Sequence, residues 1–101
     1  MVGRVKIDSR DIGEGCPCFV IAEAGVNHNG DLQTARRLMR AAAESGADAV
    51  KFQTFVASNI ATVEARKAAY QVVHGNQSES QLTMLRKLEL KQEVFRRLKE
   101  Y

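Results

Sequence analysis

Three polar side chains near the ends of two predicted strands have types and a spacing that could do chemistry together. Glu23 is the only charge in an apolar run at residues 18–25, and Lys51 and Gln53 lie in a second run at residues 48–55. Side chains alternate between the two faces of a strand, so Lys51 and Gln53 share one side of theirs. If the apolar faces pack against helices, all three project together at the carboxyl edge of neighbouring parallel strands. Ligands of α/β sheets and β/α barrels bind at that edge.

A carboxylate beside a lysine at such an edge is suited to moving a proton and to holding an anion. An alternative is that Glu23 and Lys51 form a buried ion pair between adjacent strands, because a buried charge needs a partner whether or not it is functional. The residue types leave both interpretations open. They predict a site for a small anionic molecule, and they do not identify the substrate.

The loop that follows the first predicted strand, residues 26–30, adds further candidates at the same edge. His28 could serve as a metal ligand or a base, although a single histidine is more often a hydrogen-bonded structural residue. Gly30 precedes a helix start, where free backbone N–H groups could hold an anion. The chain contains neither a P-loop nor a Rossmann glycine pattern, so that second inference depends on Gly30 alone.

The segment between the two strands is predicted to be an amphipathic helix over residues 31–45. Its apolar residues recur every three or four positions, with three arginines on the opposite side. Asn29 or Asp31 can cap its start, and Gly46 is well placed to end it. A strand, a helix and a second strand form a βαβ unit, in which the strands are parallel and the crossover is right-handed. The predicted fold class is therefore α/β.

The remaining segments are predicted from weaker patterns. Residues 3–16 carry a brief apolar alternation and are expected to form a small edge hairpin. Residues 56–79 lack dependable periodicity, and a connection of that length is more often functional than a spacer. Ser78 and Gln81 have the spacing of a capping box for a helix, which a final helix follows. Each helix has one apolar face, formed by Leu82, Leu85 and Leu88 in the first and by Val94, Phe95, Leu98 and Tyr101 in the second.

The composition indicates an ordinary globular chain. The 101 residues include 15 Lys+Arg and 12 Asp+Glu, and a net charge of +3 is too small to indicate nucleic acid binding. Hydrophobic residues make up 45% and charged residues 27%, which suits one modest core. No apolar run approaches the roughly 18 to 20 residues of a membrane span, and charges interrupt the N-terminus before a signal-peptide core. A cytoplasmic protein without membrane partners is expected, with Cys16 and Cys18 as reduced thiols.

Two long blocks, IAEAGVNHNG at residues 21–30 and AAAESGADAVKFQT at residues 41–54, carry a resemblance to a known family. They closely resemble, in order and spacing, the opening of the N-acetylneuraminate (sialic acid) synthase family. That family includes legionaminic and pseudaminic acid synthases and related spore-coat polysaccharide proteins. The resemblance continues through residues 70–90, so it covers nearly the whole chain from residue 18 onward.

The resemblance implies a TIM-type (β/α)8 barrel that condenses phosphoenolpyruvate with an open-chain N-acylated amino sugar, such as N-acetylmannosamine, and releases phosphate by cleaving a C–O bond. It also implies a divalent metal, manganese or magnesium, that polarises the sugar aldehyde. The two metal-binding histidines of the family lie downstream, so no metal ligand is expected in this segment, and His28 is not one of them. A homo-oligomer is expected.

The resemblance also implies roles for individual residues. Glu23 matches the family's active-site carboxylate, which handles a proton or the attacking water. Lys51 matches the lysine that holds the phosphoenolpyruvate anion. Gln53 and Asn76 match hydrogen-bond partners of the sugar. Two residues of the signature loop are expected to shape the site, namely Asn27 and His28.

The chain departs from the family in extent, since it contains about two of the eight β/α units of a closed barrel. We expect residues 1–101 to be an N-terminal fragment of the barrel domain, either a piece of a complete synthase or a stand-alone chain. Two parallel strands with bare edges are not expected to be stable alone, so the chain should be inactive by itself and, if folded, oligomeric. The alternative is a non-catalytic fragment that self-associates or binds another chain. A local departure is Lys91, where family members often place a helix-capping Ser or Thr.

Overall fold

The computed structural model describes residues 3–61 and 80–101, which form a mixed α/β arrangement. Two short strands make an antiparallel hairpin, and two further strands make a parallel pair. The strands are β1 Val5–Ile7, β2 Arg10–Ile12, β3 Ile21–Gly25 and β4 Ala49–Phe52. Among the described residues the helices are α1 Leu32–Glu44, α2 Gln81–Leu88 and α3 Gln92–Glu100, with a 3-10 turn at Ala57–Asn59. The predicted α/β class and the predicted hairpin are confirmed.

The parallel pair of β3 and β4 is connected by α1, as the sequence predicts. Glu23 is in register with Lys51, and Gly25 is in register with Phe52, so Ala24 is an extra residue in the ladder. Such a β-bulge bends the strand and changes the direction of the side chains that follow it. The sequence pattern predicts the pairing but not the bulge, because strict alternation assumes an uninterrupted strand.

Capping interactions fix the bounds of α1 close to those predicted. The Asp31 carboxylate accepts hydrogen bonds from the Thr34 hydroxyl at 2.6 Å and from the Thr34 backbone N–H at 2.8 Å. These bonds hold the pKa of Asp31 below its ordinary value. At the other end, the Gly46 N–H donates to the Ala43 carbonyl at 3.1 Å, and Gly46 has a φ of +88°. Glycine tolerates this left-handed conformation, so the helix ends there.

The core lies between α1 and α3, against β4. Its buried members are Ala35, Leu90 and Leu98, and the partly buried side chains around them are Leu32, Met39, Phe52, Val94 and Phe95. The rings of Phe52 and Phe95 meet edge-on, with centroids 6.5 Å apart. Phe52 therefore faces the helices. Its neighbour Lys51 points to the opposite face of the sheet, because side chains alternate along a strand.

Two arginines of α1 pack against the end of α3, although the sequence places them on the side of the helix away from the core. The Arg36 guanidinium lies 5.3 Å from the centroid of the Tyr101 ring, and Arg40 Nη2 donates to the Tyr101 hydroxyl at 3.0 Å. A guanidinium is attracted to an aromatic face, so these contacts tie the last residue to α1. Helical periodicity separates polar from apolar residues, but it does not show which polar residues another helix will cover.

One carboxylate attaches the hairpin to the parallel pair. Asp48 accepts the Val20 backbone N–H at 2.8 Å and forms an ion pair with Arg10 of β2. The backbone hydrogen bond and the Arg10 guanidinium hold the pKa of Asp48 below its ordinary value. The ion pair joins positions 38 residues apart, so no local sequence pattern could reveal it.

The N-cap of α2 is Ser80 and not Ser78, so the predicted capping box is wrong by two residues. The Ser80 hydroxyl accepts the Thr83 backbone N–H at 3.2 Å. Ser78 itself, with the rest of the long predicted connection from residue 62 onward, lies outside the described residues. The helix and its apolar face are confirmed, since Leu82 is buried.

The first turn of α3 begins at Lys91, an N-cap that makes no side-chain hydrogen bond. Lys91→Asp is expected to raise the free energy of unfolding by about 1 kcal/mol, because the new carboxylate can accept a first-turn N–H and is favoured by the helix dipole. Urea denaturation of both chains measures the difference. Lys91→Ala is the control, and an equal gain from alanine would show that loss of the lysine, and not capping, is stabilising.

The helices and the cysteines bear on two expectations, that the chain does not span a membrane and that its thiols are reduced. No helix within residues 3–61 and 80–101 is long and apolar enough to cross a membrane. Cys16 is partly buried and Cys18 is exposed, and both are free thiols. They therefore form no cross-link between the hairpin and β3.

Candidate functional site

Glu23 and Lys51 stand side by side on the face of the sheet opposite Phe52. They are register partners on β3 and β4, and Lys51 Nζ lies 3.4 Å from Glu23 Oε2. Within the described residues the pair is not buried, since the side chains of Glu23 and Lys51 are 48% and 65% exposed. No described element covers this face of the sheet. An ion pair this exposed contributes at most about 1 kcal/mol to folding, so stability alone gives little reason for it.

The Gln53 side chain reaches the same face, beside Glu23. A β-carbon placed on Gly25 would lie 3.1 Å from Glu23 Oε1 and 3.3 Å from Gln53 Nε2, so both polar groups border one small volume. The Glu23 carboxylate therefore has one oxygen near Lys51 and the other near Gln53. We call these three residues the polar cluster. The structure brings together the side chains that the sequence singled out, and their chemical roles stay predictions.

The polar cluster combines three kinds of chemistry within a few ångströms. An exposed ammonium group can hold a phosphate or a carboxylate. A carboxylate can accept a proton from water or from a substrate hydroxyl. A carboxamide can both donate and accept hydrogen bonds. This arrangement suits an anionic substrate together with a second one that carries hydroxyl or amide groups.

His28 lies in the interior and not at the polar cluster. It is 0% exposed, its Nδ1 accepts the Gly30 backbone N–H at 2.9 Å, and its ring centroid is 6.1 Å from that of Phe52. Since Nδ1 accepts, the neutral ring carries its proton on Nε2, which has no hydrogen-bond partner in the described structure. Burial lowers the pKa of His28 below its ordinary value. These contacts favour a structural role over a base or a metal ligand.

The buried imidazole makes the stability of the fold depend on pH. At a pH where the unfolded chain binds a proton on His28 and the folded chain does not, a further fall in pH lowers the free energy of unfolding. Because the pKa of His28 is lowered from 6.5, the free energy of unfolding should reach its full value above that pH and fall as the pH drops below it. Urea denaturation across this range measures the slope.

The variant His28→Asn isolates this contribution from that of other titrating groups. Its carboxamide oxygen can replace Nδ1 as the acceptor for the Gly30 N–H, and it does not titrate. We expect the loss of stability below pH 6.5 to be smaller in the variant than in the unaltered chain. Identical slopes would show that His28 is not held neutral by burial.

The anion site predicted at Gly30 is wrong, because the loop uses its amide groups internally. The Gly30 N–H donates to His28 Nδ1, and the Asp31 N–H donates to the His28 carbonyl at 3.0 Å. Gly30 has a φ of +76°, and a β-carbon there would overlap the backbone carbonyl oxygen of Lys87 in α2. The loop after β3 is therefore packed against α2.

The two asparagines predicted at the site differ in what the structure shows of them. Asn27 is exposed at the start of the loop, where its backbone N–H donates to the Ala24 carbonyl at 3.0 Å. Its role in shaping the site stays a prediction. Asn76 lies outside the described residues, so its role also stays a prediction.

Sequence reasoning missed Gly25, beside the polar cluster, and Glu89, which contacts the segment after β4. Gly25 has a φ of +57° and lies beneath Glu23 and Gln53. Its place directly after the acid and the buried alanine at the strand end is the signal that could have identified it. Glu89 accepts the Ala57 backbone N–H at 3.1 Å and holds the segment after β4 against the junction of α2 and α3. These partners are 32 residues apart, so no local signal could have identified Glu89.

The described residues do not fit a divalent metal. Within residues 3–61 and 80–101, no group of three His, Cys, Asp or Glu side chains could hold a metal ion. Glu23 is the one carboxylate in the polar cluster, and manganese and magnesium prefer several oxygen ligands. An ion at this edge would therefore need ligands from elsewhere in the protein.

The fold and the polar cluster define a class of protein. It is an α/β protein whose parallel βαβ unit presents an acid, a lysine and a carboxamide at the carboxyl edge of its strands. The pattern of the NeuB family matches residues 38–101, which is more than half of the chain. The chain belongs to this family, the sialic acid synthases.

Similar proteins include synthases of legionaminic and sialic acids, and they are longer than this chain. N,N'-diacetyllegionaminic acid synthase of Legionella pneumophila is 56% identical over 81 residues, covering 80% of this chain and 23% of that protein. Human N-acetylneuraminate-9-phosphate synthase is 57% identical over 44 residues, covering 44% of this chain and 12% of that protein. The crystal structure of the Bacillus subtilis spore coat polysaccharide biosynthesis protein SpsE matches with a TM-score of 0.54 and 30% identity, over 97% of this chain and 31% of that one. The chain thus spans about a quarter of the length of the Legionella relative.

Proposed function

We propose that this chain forms part of the active site of a sialic acid-type synthase, which condenses phosphoenolpyruvate with an N-acylated amino sugar such as N-acetylmannosamine and releases phosphate. The observation that carries the proposal is the convergence of Glu23, Lys51 and Gln53 at the carboxyl edge of two parallel strands. The relatives support it, since they are named as synthases of legionaminic acid and of N-acetylneuraminate 9-phosphate. Because phosphoenolpyruvate is a cytoplasmic metabolite, the reaction is proposed to occur there, in nonulosonic acid and polysaccharide biosynthesis.

Lys51 is proposed to bind phosphoenolpyruvate. Its side chain is 65% exposed at the strand edge, so the ammonium group is accessible to a phosphate or carboxylate. The exposed pair with Glu23 is worth at most about 1 kcal/mol, so a multiply charged anion can displace it at little cost. Substrate binding would then release the Glu23 carboxylate from its lysine partner.

Glu23 is proposed to handle the proton or the water of the reaction. The enol carbon of phosphoenolpyruvate attacks the sugar aldehyde, which forms the new C–C bond and leaves an oxocarbenium centre at the carbon that bears the phosphate. The aldehyde oxygen takes up a proton and becomes a hydroxyl group. The Glu23 carboxylate can remove a proton from the water that attacks the oxocarbenium centre, and when the C–O bond breaks the added hydroxyl gives its proton to the departing phosphate and becomes the ketone. Gln53 and Asn76 are proposed to hold the hydroxyl and N-acyl groups of the sugar by hydrogen bonds.

The proposal includes a manganese or magnesium ion, whose chemistry when bound is to polarise the sugar aldehyde. The polar cluster has no set of metal ligands among the described residues, so the ligands are proposed to lie beyond them. The part of the site in this chain binds and orients the organic substrates.

We also propose that residues 1–101 are the N-terminal part, about two β/α units, of a TIM-type (β/α)8 barrel domain. In the described structure β3 pairs on one side alone, and Val20 and Ile21 at its N-terminal end are 50% and 55% exposed. An apolar cleft of about 420 Å³ lies between β3 and the end of α1. A barrel would cover these surfaces, and the match of nearly the whole chain to about a third of SpsE supports this arrangement.

The activity test uses the complete gene product that contains this chain. It is supplied with phosphoenolpyruvate, a divalent metal and one amino sugar at a time: N-acetylmannosamine, its 6-phosphate or a bacillosamine-derived sugar. Phosphate release that depends on one of these sugars, with formation of a nonulosonic acid, is the expected result, and the 101-residue chain alone is expected to be inactive. Failure of the complete product with all three sugars would contradict the proposal.

A non-catalytic fragment that self-associates or binds another chain is the second candidate. The exposed edge of β3 favours it for the 101-residue chain by itself, because two parallel strands with a bare edge are not stable alone. Light scattering of the purified chain is expected to give the mass of an oligomer. A monomeric mass with a cooperative thermal transition would contradict this candidate.

A further inference from the structure

Gly25 combines a left-handed backbone with a buried position at the end of β3. Its φ is +57°, and it follows Ala24, the extra residue of the bulge. Because of that extra residue, Gly25 and not Ala24 stands opposite Phe52 in the ladder. The Gly25 carbonyl then accepts the Gln53 backbone N–H at 3.4 Å. The bulge thus sets which residue of β3 lies next to Gln53.

The side chains of Glu23 and Gln53 border the space that a side chain on residue 25 would occupy. A β-carbon there would lie 3.1 Å from Glu23 Oε1 and 3.3 Å from Gln53 Nε2, and both separations are shorter than ordinary van der Waals contact. Both polar groups would have to move by a few tenths of an ångström to make room for a methyl group. The second oxygen of Glu23 lies 3.4 Å from Lys51 Nζ, so a shift of the carboxylate away from residue 25 would also change its distance to the lysine.

We propose that Gly25 is a positioning residue of the site, because its lack of a β-carbon lets the Glu23 carboxylate and the Gln53 carboxamide lie side by side over β3. The consequence for catalysis rests on the proposed function. Glu23 presents one oxygen to the lysine that binds phosphoenolpyruvate and the other to the carboxamide that binds the amino sugar. The Glu23 carboxylate, which accepts the proton, is thereby placed between the two substrates.

The left-handed backbone at residue 25 could by itself require a glycine there. Gly46 is the matched control for this alternative. Gly46 has a φ of +88°, and nothing lies within 4 Å of the place where its β-carbon would be. Gly46→Ala therefore introduces backbone strain without crowding. Gly25→Ala introduces both, so the difference between the two variants reports the crowding of Glu23 and Gln53.

The first measurement uses the complete gene product and does not depend on activity. We expect the NMR resonances of the Gln53 side-chain amide to move in Gly25→Ala and to stay in place in Gly46→Ala, while both variants lose a similar amount of resistance to urea. Unmoved Gln53 resonances in Gly25→Ala would overturn the proposal. If Gly25→Ala does not fold, Gly25→Asn replaces it, because asparagine adopts a positive φ more readily while still adding a β-carbon.

The second measurement uses steady-state kinetics of the complete gene product. Gly25→Ala is expected to lower kcat about tenfold, because the Glu23 carboxylate must shift by a few tenths of an ångström, which is less than the misplacement of about 1 Å that can cost about 100-fold. The KM for phosphoenolpyruvate should change little, because Lys51 is not among the groups that the methyl would crowd. An equal loss of kcat in Gly46→Ala would overturn the proposal. An unaltered protein without synthase activity would contradict the proposed function, and the NMR comparison would still decide whether Gly25 positions Gln53.

Discussion

Gly30→Ala is expected to lower the free energy of unfolding by about 3 kcal/mol or more, which is a large part of the stability of a small domain. The left-handed conformation at φ +76° costs a residue with a β-carbon roughly 1 to 2 kcal/mol. The further loss arises because the new methyl group overlaps the backbone carbonyl oxygen of Lys87. A backbone atom cannot rotate away as the end of a side chain can, so α2 must move from the loop.

Urea denaturation compares the loss of free energy of unfolding in Gly30→Ala with the loss in Gly46→Ala. Gly46 has a similar positive φ and no neighbour near its β-carbon position, so its replacement should cost only the roughly 1 to 2 kcal/mol of the left-handed conformation. The difference between the two variants is the cost of separating the loop from α2. Equal losses in both would show that Gly30 and α2 are not in close contact.

The Gly30 variant should also disturb the interior next to the site. The Gly30 N–H is the donor to His28 Nδ1, so a change of backbone conformation at residue 30 would weaken the hydrogen bond that fixes the buried imidazole. His28 would then gain access to water, and the pH dependence that arises from its lowered pKa should weaken. Denaturation of Gly30→Ala on either side of pH 6.5 tests this coupling.

Glu23→Gln is expected to lower kcat of the complete gene product by about 10²- to 10⁴-fold, the contribution typical of a group that accepts a proton in the reaction. Glutamine has nearly the same shape as glutamate but cannot accept that proton. The KM for phosphoenolpyruvate should stay the same or fall, because Lys51 loses a competing carboxylate at 3.4 Å. Initial rates of phosphate release over a range of phosphoenolpyruvate concentrations separate the two effects.

Glu44→Gln is the matched control for this prediction. Glu44 is an exposed carboxylate at the last residue of α1, so the same chemical change there should leave kcat unaltered. The stability of Glu23→Gln should also remain close to that of the unaltered protein, since the ion pair it removes is exposed. A rise in KM without a fall in kcat would assign Glu23 to substrate binding and contradict its role in proton transfer.

Some features of the polar cluster were predictable because they follow from local geometry. The alternation along residues 48–55 placed Lys51 and Gln53 on one face, and the structure has them there. The length of the connecting segment required a parallel pair, which brought Glu23 next to Lys51. The bulge at Ala24 was not predictable, and it decides how close Gln53 comes to Glu23.

The sequence by itself determined the type and order of the main described elements, and the ends of α1. Asp31 and Gly46 mark the ends of α1, because capping groups act on backbone atoms within one turn of the helix. The tertiary structure alone decided which groups are covered: His28 is buried, while the Glu23 and Lys51 pair is exposed. Burial depends on elements that are distant in the chain, whereas periodicity and capping depend on neighbouring residues.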